Sequence, residues 1–139
     1  MRGRRLAFDY GDARIGVAAC DADAILSSPL TVLQTSSKKL HAEIAAILTE
    51  VEPLIVYVGL PMNMSGNSGE SAAKATAFAQ MLVEDFAVNV VMVDERLSTI
   101  SAQRKLKEAG LSVRDSKSLI DAMSAVAILD QGLLRESKE

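Results

Sequence analysis

The run LAFDYGDARIGVAAC, residues 6–20, decides the fold. Residues 6–10 are short and apolar and read as a buried strand, and residues 14–20 read as a second. Between them Gly11, Asp12 and Ala13 give a turn signal, so the two strands form a tight antiparallel hairpin. Residues 26–33 then carry a weaker third strand, in which Pro29 points to a sheet edge. Leu40, Ile44, Ile47, Leu48 and Val51 recur at helical spacing and predict a helix over 38–52, stopped by Pro53. Residues 54–59 read as a strand buried on both faces. Asn67 with Glu70 resembles a capping box opening a helix to about residue 85, with Phe78, Leu82 and Phe86 inward. Residues 88–93 are another buried strand. Ser98 caps a helix to 109 closed by Gly110, and Ser118 opens a last helix to about 134.

The order is therefore β-β-β-α-β-α-β-α-α. Connection rules put the fourth strand beside the first and parallel to it, with the fifth beyond. The expected fold is α/β: a mixed five-stranded sheet, an antiparallel hairpin plus parallel strands, with helices on both faces, in one domain spanning 1–139. In such sheets the functional crevice lies at the carboxyl ends of the parallel strands.

Composition narrows the chemistry. The 139 residues are 49% hydrophobic and 24% charged, a globular rather than a disordered balance. One cysteine, Cys20, and one histidine, His41, exclude cysteine-cluster zinc sites and internal disulfides and argue against a Ser-His or Cys-His system. Cys20 reads as filler at a small strand position, and His41 as a solvent-facing helix residue without a role. No apolar run reaches the ~20 residues of a membrane span and no signal peptide opens the chain, so the expected address is cytoplasmic with no membrane partner. Net charge is −3, so a nucleic-acid partner would need a local patch. Between positions 96 and 117 stand six bases, Arg96, Arg104, Lys105, Lys107, Arg114 and Lys117, against Glu108 and Asp115, a local charge of +4. Arg2, Arg4 and Arg5 form a second basic cluster, and Arg14 flanks the first turn. Arg104, Lys105 and Lys107 also read as a solvated helix face; Arg96, adjacent to Glu95, is the better phosphate contact.

Polar residues break in where apolar runs end. The first strand ends in Asp9, the fourth in GLPMN at 59–63, the fifth in Asp94, Glu95 and Arg96. A last helix returning over the sheet brings Asp121 on its first turn to the same edge, with small Ala122, Ser124 and Ala125 allowing close approach. Clustered carboxylates persist when a cation lies between them. An all-oxygen set favours Mg²⁺ or Mn²⁺, and a two-metal site is the usual machinery for attack of water on a phosphodiester. Each acid also has a structural reading: Asp9 as a polar strand end, Asp94 and Glu95 as solvated turn residues, Asp121 as the capping-box partner of Ser118. The Gly- and Asn-rich loop 59–69 lacks the Gly-Lys-Ser/Thr ending of a P-loop.

Four segments, DYGDARIGVA at 9–18, VGLPMN at 58–63, VDERLST at 93–99 and IDA at 120–122, together resemble the YqgF (RuvX) family across nearly the whole chain. Its members are described as pre-16S rRNA nucleases and were formerly named Holliday junction resolvases. The resemblance implies an RNase H-like fold, with Asp9, Glu95 and Asp121 as metal-binding catalytic acids. It implies a cytoplasmic role in maturing the 5′ end of 16S rRNA, acting on structured RNA in a pre-ribosomal particle, as monomer or homodimer. Nucleic-acid contacts are expected from Arg14, Asn63, Arg96, Arg104, Lys105, Arg114 and Lys117. The chain departs from the family in the loop before the last helix, where 112–118 holds two bases and Asp115, so grip on RNA is shared with Arg2, Arg4 and Arg5. Asp12 adds an acid near Asp9 and reads as turn-stabilising before metal-binding. Alternatives are a resolvase cutting branched DNA and a non-catalytic RNA-binding or transcription factor. An actin-like ATPase, whose phosphate hairpin resembles 9–16, needs two such domains.

Overall fold

The computed structural model describes residues 3–24, 26–60, 69–94 and 117–137; the helix 98–109 read from the sequence lies outside them. Five strands and three helices occur among the described residues: β1 (Arg5–Tyr10), β2 (Arg14–Cys20), β3 (Ser27–Gln34), α1 (Leu40–Val51), β4 (Ile55–Leu60), α2 (Glu70–Phe86), β5 (Val90–Asp94) and α3 (Lys117–Ser137). The sheet order is β3-β2-β1-β4-β5. β2 runs antiparallel to β1 and β3, and β4 runs parallel to β1 and β5, as the connection rules require.

The β1–β2 turn is as tight as its sequence. A Cβ on Gly11 would stand 2.7 Å from the Arg14 carbonyl oxygen, closer than carbon and oxygen approach, so only glycine fits. Thr35 ties the turn to the end of β3, its hydroxyl donating to the Gly11 carbonyl at 2.7 Å and its amide to Ala13 at 3.1 Å. β3 is the edge strand that Pro29 indicated, bulged against β2 at Val17/Ala18.

Two helix starts differ from the sequence reading. α2 begins at Glu70 with Gly69 as N-cap and no side-chain cap, so the capping position is not Asn67. α3 begins at Lys117, which puts Ser118 inside the helix rather than at its cap. α1 and α2 end on left-handed residues, Glu52 (φ 49°) and Ala87 (φ 55°), whose amides bond back to Leu48 and Val83.

Strand alternation sorts the side chains into two cores. Leu6, Phe8, Ile15, Val17, Val56 and Val58 face α1 and α2. Ala7, Ala18, Cys20, Tyr57 and Val93 face α3, against Ala125, Val126, Ile128 and Leu129. The small residues expected on the last helix are buried there: Ala122, Ser124 and Ala125. Cys20 fills a strand position as read; it is buried, accepts the Arg5 amide at Sγ (3.1 Å), and burial raises its thiol pKa. His41 is exposed, 3.1 Å from the Asp85 carboxylate and stacked on Phe86. No helix among the described residues is long and apolar enough to cross a membrane.

Candidate active site

Asp9 is the penultimate residue of β1, half-buried at the carboxyl end of the strand. Its position alternates with Arg5 and Ala7, on the α3 face, while Leu6, Phe8 and Tyr10 take the other. Its partner on β2 is Gly16. On β4 the register Phe8↔Val58 continues one step to Gly59, which itself pairs with Val93. The Asp9 carboxylate thus rises from a row whose neighbours on both sides have no side chain. That pairing with glycines was not read from the sequence, although Gly16 and Gly59 sit inside two of the quoted motifs.

Arg14 starts β2 and shares the α3 face, since it alternates with Gly16, Ala18 and Cys20. Asp94 ends β5 exposed, on the alternation of Val90 and Met92, which pack toward α1 and α2. Asp94 therefore sits on the opposite face from Asp9. Asp12, 73% exposed, pairs with Lys74 of α2 at 3.0 Å, again on the α1/α2 side. Hydrogen bonding to Asp12, then the charges of Asp12 and Glu70, raises the Lys74 pKa.

α3 runs antiparallel to β1. Glu136, near its carboxyl end, bonds Arg5 at the start of β1, and Gly132 lies against the Tyr57 ring. Position 121 lies about 22 Å further along the helix from Glu136, and Asp9 about 13 Å along β1 from Arg5. The first turns of α3 therefore overhang the carboxyl edge where Asp9 stands. Position 121 stands one turn before Ala125 along α3. Lys117 is the first residue of α3. Asn63, Glu95, Arg96, Arg104, Lys105 and Arg114 lie outside the described residues.

Among the described residues no group of three His, Cys, Asp or Glu side chains is close enough to hold a metal. Asp9 supplies one carboxylate between two glycine positions, and the thiol and imidazole are engaged elsewhere, so the donor chemistry at this edge is oxygen, which fits Mg²⁺ or Mn²⁺.

The sequence reading missed a polar cluster at the opposite end of α3. Arg5, only 3% exposed, donates from Nη2 to Glu136 Oε1 at 2.7 Å, and the Tyr57 hydroxyl donates to the other Glu136 oxygen. Arg5 is thus not part of an exposed basic cluster. Arg4 also turns inward, its Nε donating to the Cys20 carbonyl at 3.2 Å. Burial pushes the Glu136 carboxyl up, but hydrogen bonds from Arg5 and Tyr57 outweigh it and hold it below its ordinary range.

The sheet order and the acid at the end of the central strand define an RNase H-like α/β protein. A solved structure of T. thermophilus RuvC in complex with Holliday junction substrate has this fold, with a TM-score of 0.62, 16% identity and 96% of each chain covered. The family model described as "RuvX: Holliday junction resolvase" matches residues 3–135, and the chain belongs to that family. Relatives named "Putative pre-16S rRNA nuclease" are 44% identical to it. That of Streptomyces coelicolor aligns over 137 residues, 97% of this chain and 82% of its own. That of Mycobacterium tuberculosis H37Rv aligns over 134, 95% and 79%.

Proposed function

We propose that this chain, as one RNase H-like domain, is a divalent-metal-dependent nuclease that processes the 5′ end of pre-16S rRNA in the cytoplasm. The observation that carries the reading is Asp9: a half-buried carboxylate at the crevice edge of the central strand, between glycines, on the face that α3 overhangs. The names of the relatives support the substrate. Asp9, Glu95 and Asp121 would hold Mg²⁺ or Mn²⁺, which when bound supplies charge stabilisation and a more acidic water. Glu95 enters from the resemblance of VDERLST at 93–99 to the family.

The protein's own part is positional. Gly16 and Gly59 leave room for a sugar-phosphate strand to approach Asp9 closely. Arg14, on the same face, is set to take a phosphate oxygen of that strand by charge-assisted hydrogen bonding. Asn63, Arg96, Arg104, Lys105, Arg114 and Lys117 extend that contact, supported by the +4 charge of positions 96–117.

The family description favours one second reading, cleavage of four-way DNA. Carboxylates and ions do not read the sugar, so substrate comparison separates the two. Precursor rRNA and a four-way junction are incubated with the protein in Mg²⁺ or Mn²⁺. Cleavage of the precursor at its 5′ end, lost in Asp9→Asn, supports the reading; preferential symmetric nicking of the junction replaces it. Salt-sensitive RNA binding without cleavage makes the chain a binding factor.

A further inference from the structure

We infer that Arg5, Tyr57 and Glu136 are positioning residues for this site: they clamp the far end of α3 and so fix where position 121 stands. The inference rests on the nuclease reading and adds to it residues at the opposite edge of the sheet from the chemistry.

The clamp joins three elements. Both oxygens of Glu136 on α3 are engaged, one by Arg5 of β1 and one by Tyr57 of β4. Arg5 also donates to the Gly3 carbonyl, and Arg135 reaches the Met92 carbonyl of β5 at 3.4 Å. One turn earlier, Gly132 presses on Tyr57: a Cβ there would stand 2.6 Å from ring carbons. That ring is 2% exposed and held at its hydroxyl, so it has little room to yield.

The rest of the interface is apolar: small Ala7, Ala18 and Cys20 on the strands take Val126, Ile128 and Leu129 of α3, contacts that hold the helix on the sheet but carry no directional bond. Such apolar contacts tolerate shifts of a few tenths of an ångström more readily than metal ligation does, whereas the bonds to Glu136 and the Gly132–Tyr57 contact fix the far end of the helix. A slip of one residue moves the helix ~1.5 Å and turns it by roughly 100°. Mg²⁺–oxygen bonds of about 2.0–2.1 Å do not tolerate that. Stability alone does not explain the clamp either, because a buried ion pair is often no more stabilising than a packed apolar pair. What the pair supplies is a single geometry.

The apolar double variant Arg5→Met/Glu136→Leu tests this, since it removes the geometry without leaving a buried charge. Mn²⁺ affinity is read from the electron spin resonance of the free ion, beside the thermal midpoint and the kcat and KM on precursor rRNA. The expected result is a midpoint close to wild type, Mn²⁺ affinity weakened severalfold, and kcat down about tenfold with KM unchanged, below the ~100-fold that a 1 Å misplacement can cause. Gly132→Ala, which displaces the helix and leaves the charges in place, should give the same pattern. Should the double variant not fold, Tyr57→Phe and Gly132→Ala carry the test. Variants that fold with wild-type Mn²⁺ affinity and kcat overturn the inference, because a merely structural clamp is dispensable once stability is restored. Wild type that neither takes up Mn²⁺ nor cleaves overturns the nuclease reading instead.

Discussion

The two faces of the sheet are built on different rules. Toward α1 and α2 the contacts are bulky: Phe8 meets Phe78 edge-to-face at 5.5 Å, Tyr10 lies 5.0 Å from the same ring, and Ile44, Leu48 and Leu82 fill in around them. Toward α3 the β1–β2 strands offer only Ala7, Ala18 and Cys20, with Tyr57 and Val93 beside them, and the bulk comes from Val126, Ile128 and Leu129 of the helix. That face carries a polar clamp at one edge and Asp9 at the other. β1 encodes both rules in alternate residues: Leu6, Phe8 and Tyr10 against Arg5, Ala7 and Asp9. The difference separates two tasks. Both faces supply apolar burial, and toward α1 and α2 the core shows little else. The α3 face in addition holds charged groups in place, a task that does not tolerate displacement.

The largest effects should fall on opposite sides of this divide. Asp9→Asn should lower cleavage by roughly 10³-fold, several kcal/mol of barrier, in a protein that still folds. Cleavage surviving in that variant would remove the catalytic face from the comparison altogether. Phe78→Ala should cost about 3–5 kcal/mol in urea unfolding, from lost burial and a cavity beside Phe8. Its folded fraction should keep wild-type Mn²⁺ affinity; a parallel loss of metal binding would mean the faces are coupled.

How much of this was legible follows the same line. The helical period over 38–52 and that ending near 85, with the buried runs at 6–10 and 54–59, marked the elements to within one or two residues, except the start of α2, and connection rules gave the strand order. Asp9 was legible because an acid ending an apolar strand is a local signal. Arg5 was not. Its partner is 131 residues away, and in sequence it stands beside two other arginines, which suggested an exposed basic cluster. Burial of an arginine is decided by what packs on it, and no local pattern reports that. Helix starts differ by one to three residues: Asn67 and Ser118 offer capping chemistry, but α2 starts at Glu70 with Gly69 as its cap and Ser118 is helical, and end positions are the least local feature of a helix. The meeting of Asp9 with Glu95 and Asp121 belongs to the proposal, since position 95 and the side chain at 121 lie outside the described residues.

A smaller effect separates the faces by pH. The Glu136 carboxyl is held below its ordinary value of 4.5 in the folded protein. A depressed folded value adds stability that is complete above the unfolded value and is lost as pH falls through the folded one. Glu136→Gln should therefore cost about 2–3 kcal/mol near neutrality, by leaving Arg5 buried without its counter-charge. That cost should shrink below pH 4.5, as wild type loses the same interaction. Phe78→Ala should instead shift the stability curve by a similar amount at every pH, because the core it belongs to is apolar. Parallel curves for both variants would show that the clamp contributes packing rather than charge.

The smallest expected effect decides where the β1–β2 turn belongs. Asp12 stands three residues after Asp9, yet its carboxylate bonds Lys74 at 3.0 Å on the α2 side, with both groups largely exposed. Solvent and salt screen such a pair, so it contributes little to stability. Its charge would matter only if it reached the ion. Asp12→Asn should thus leave the thermal midpoint, Mn²⁺ affinity and kcat at wild-type values. A severalfold loss of Mn²⁺ affinity in this variant, approaching that of Asp9→Asn, would mean that the turn swings from Lys74 toward the α3 face when the ion binds. The boundary between the two faces would then run through β2 rather than through the turn, and Lys74 would act as the group that holds Asp12 in reserve.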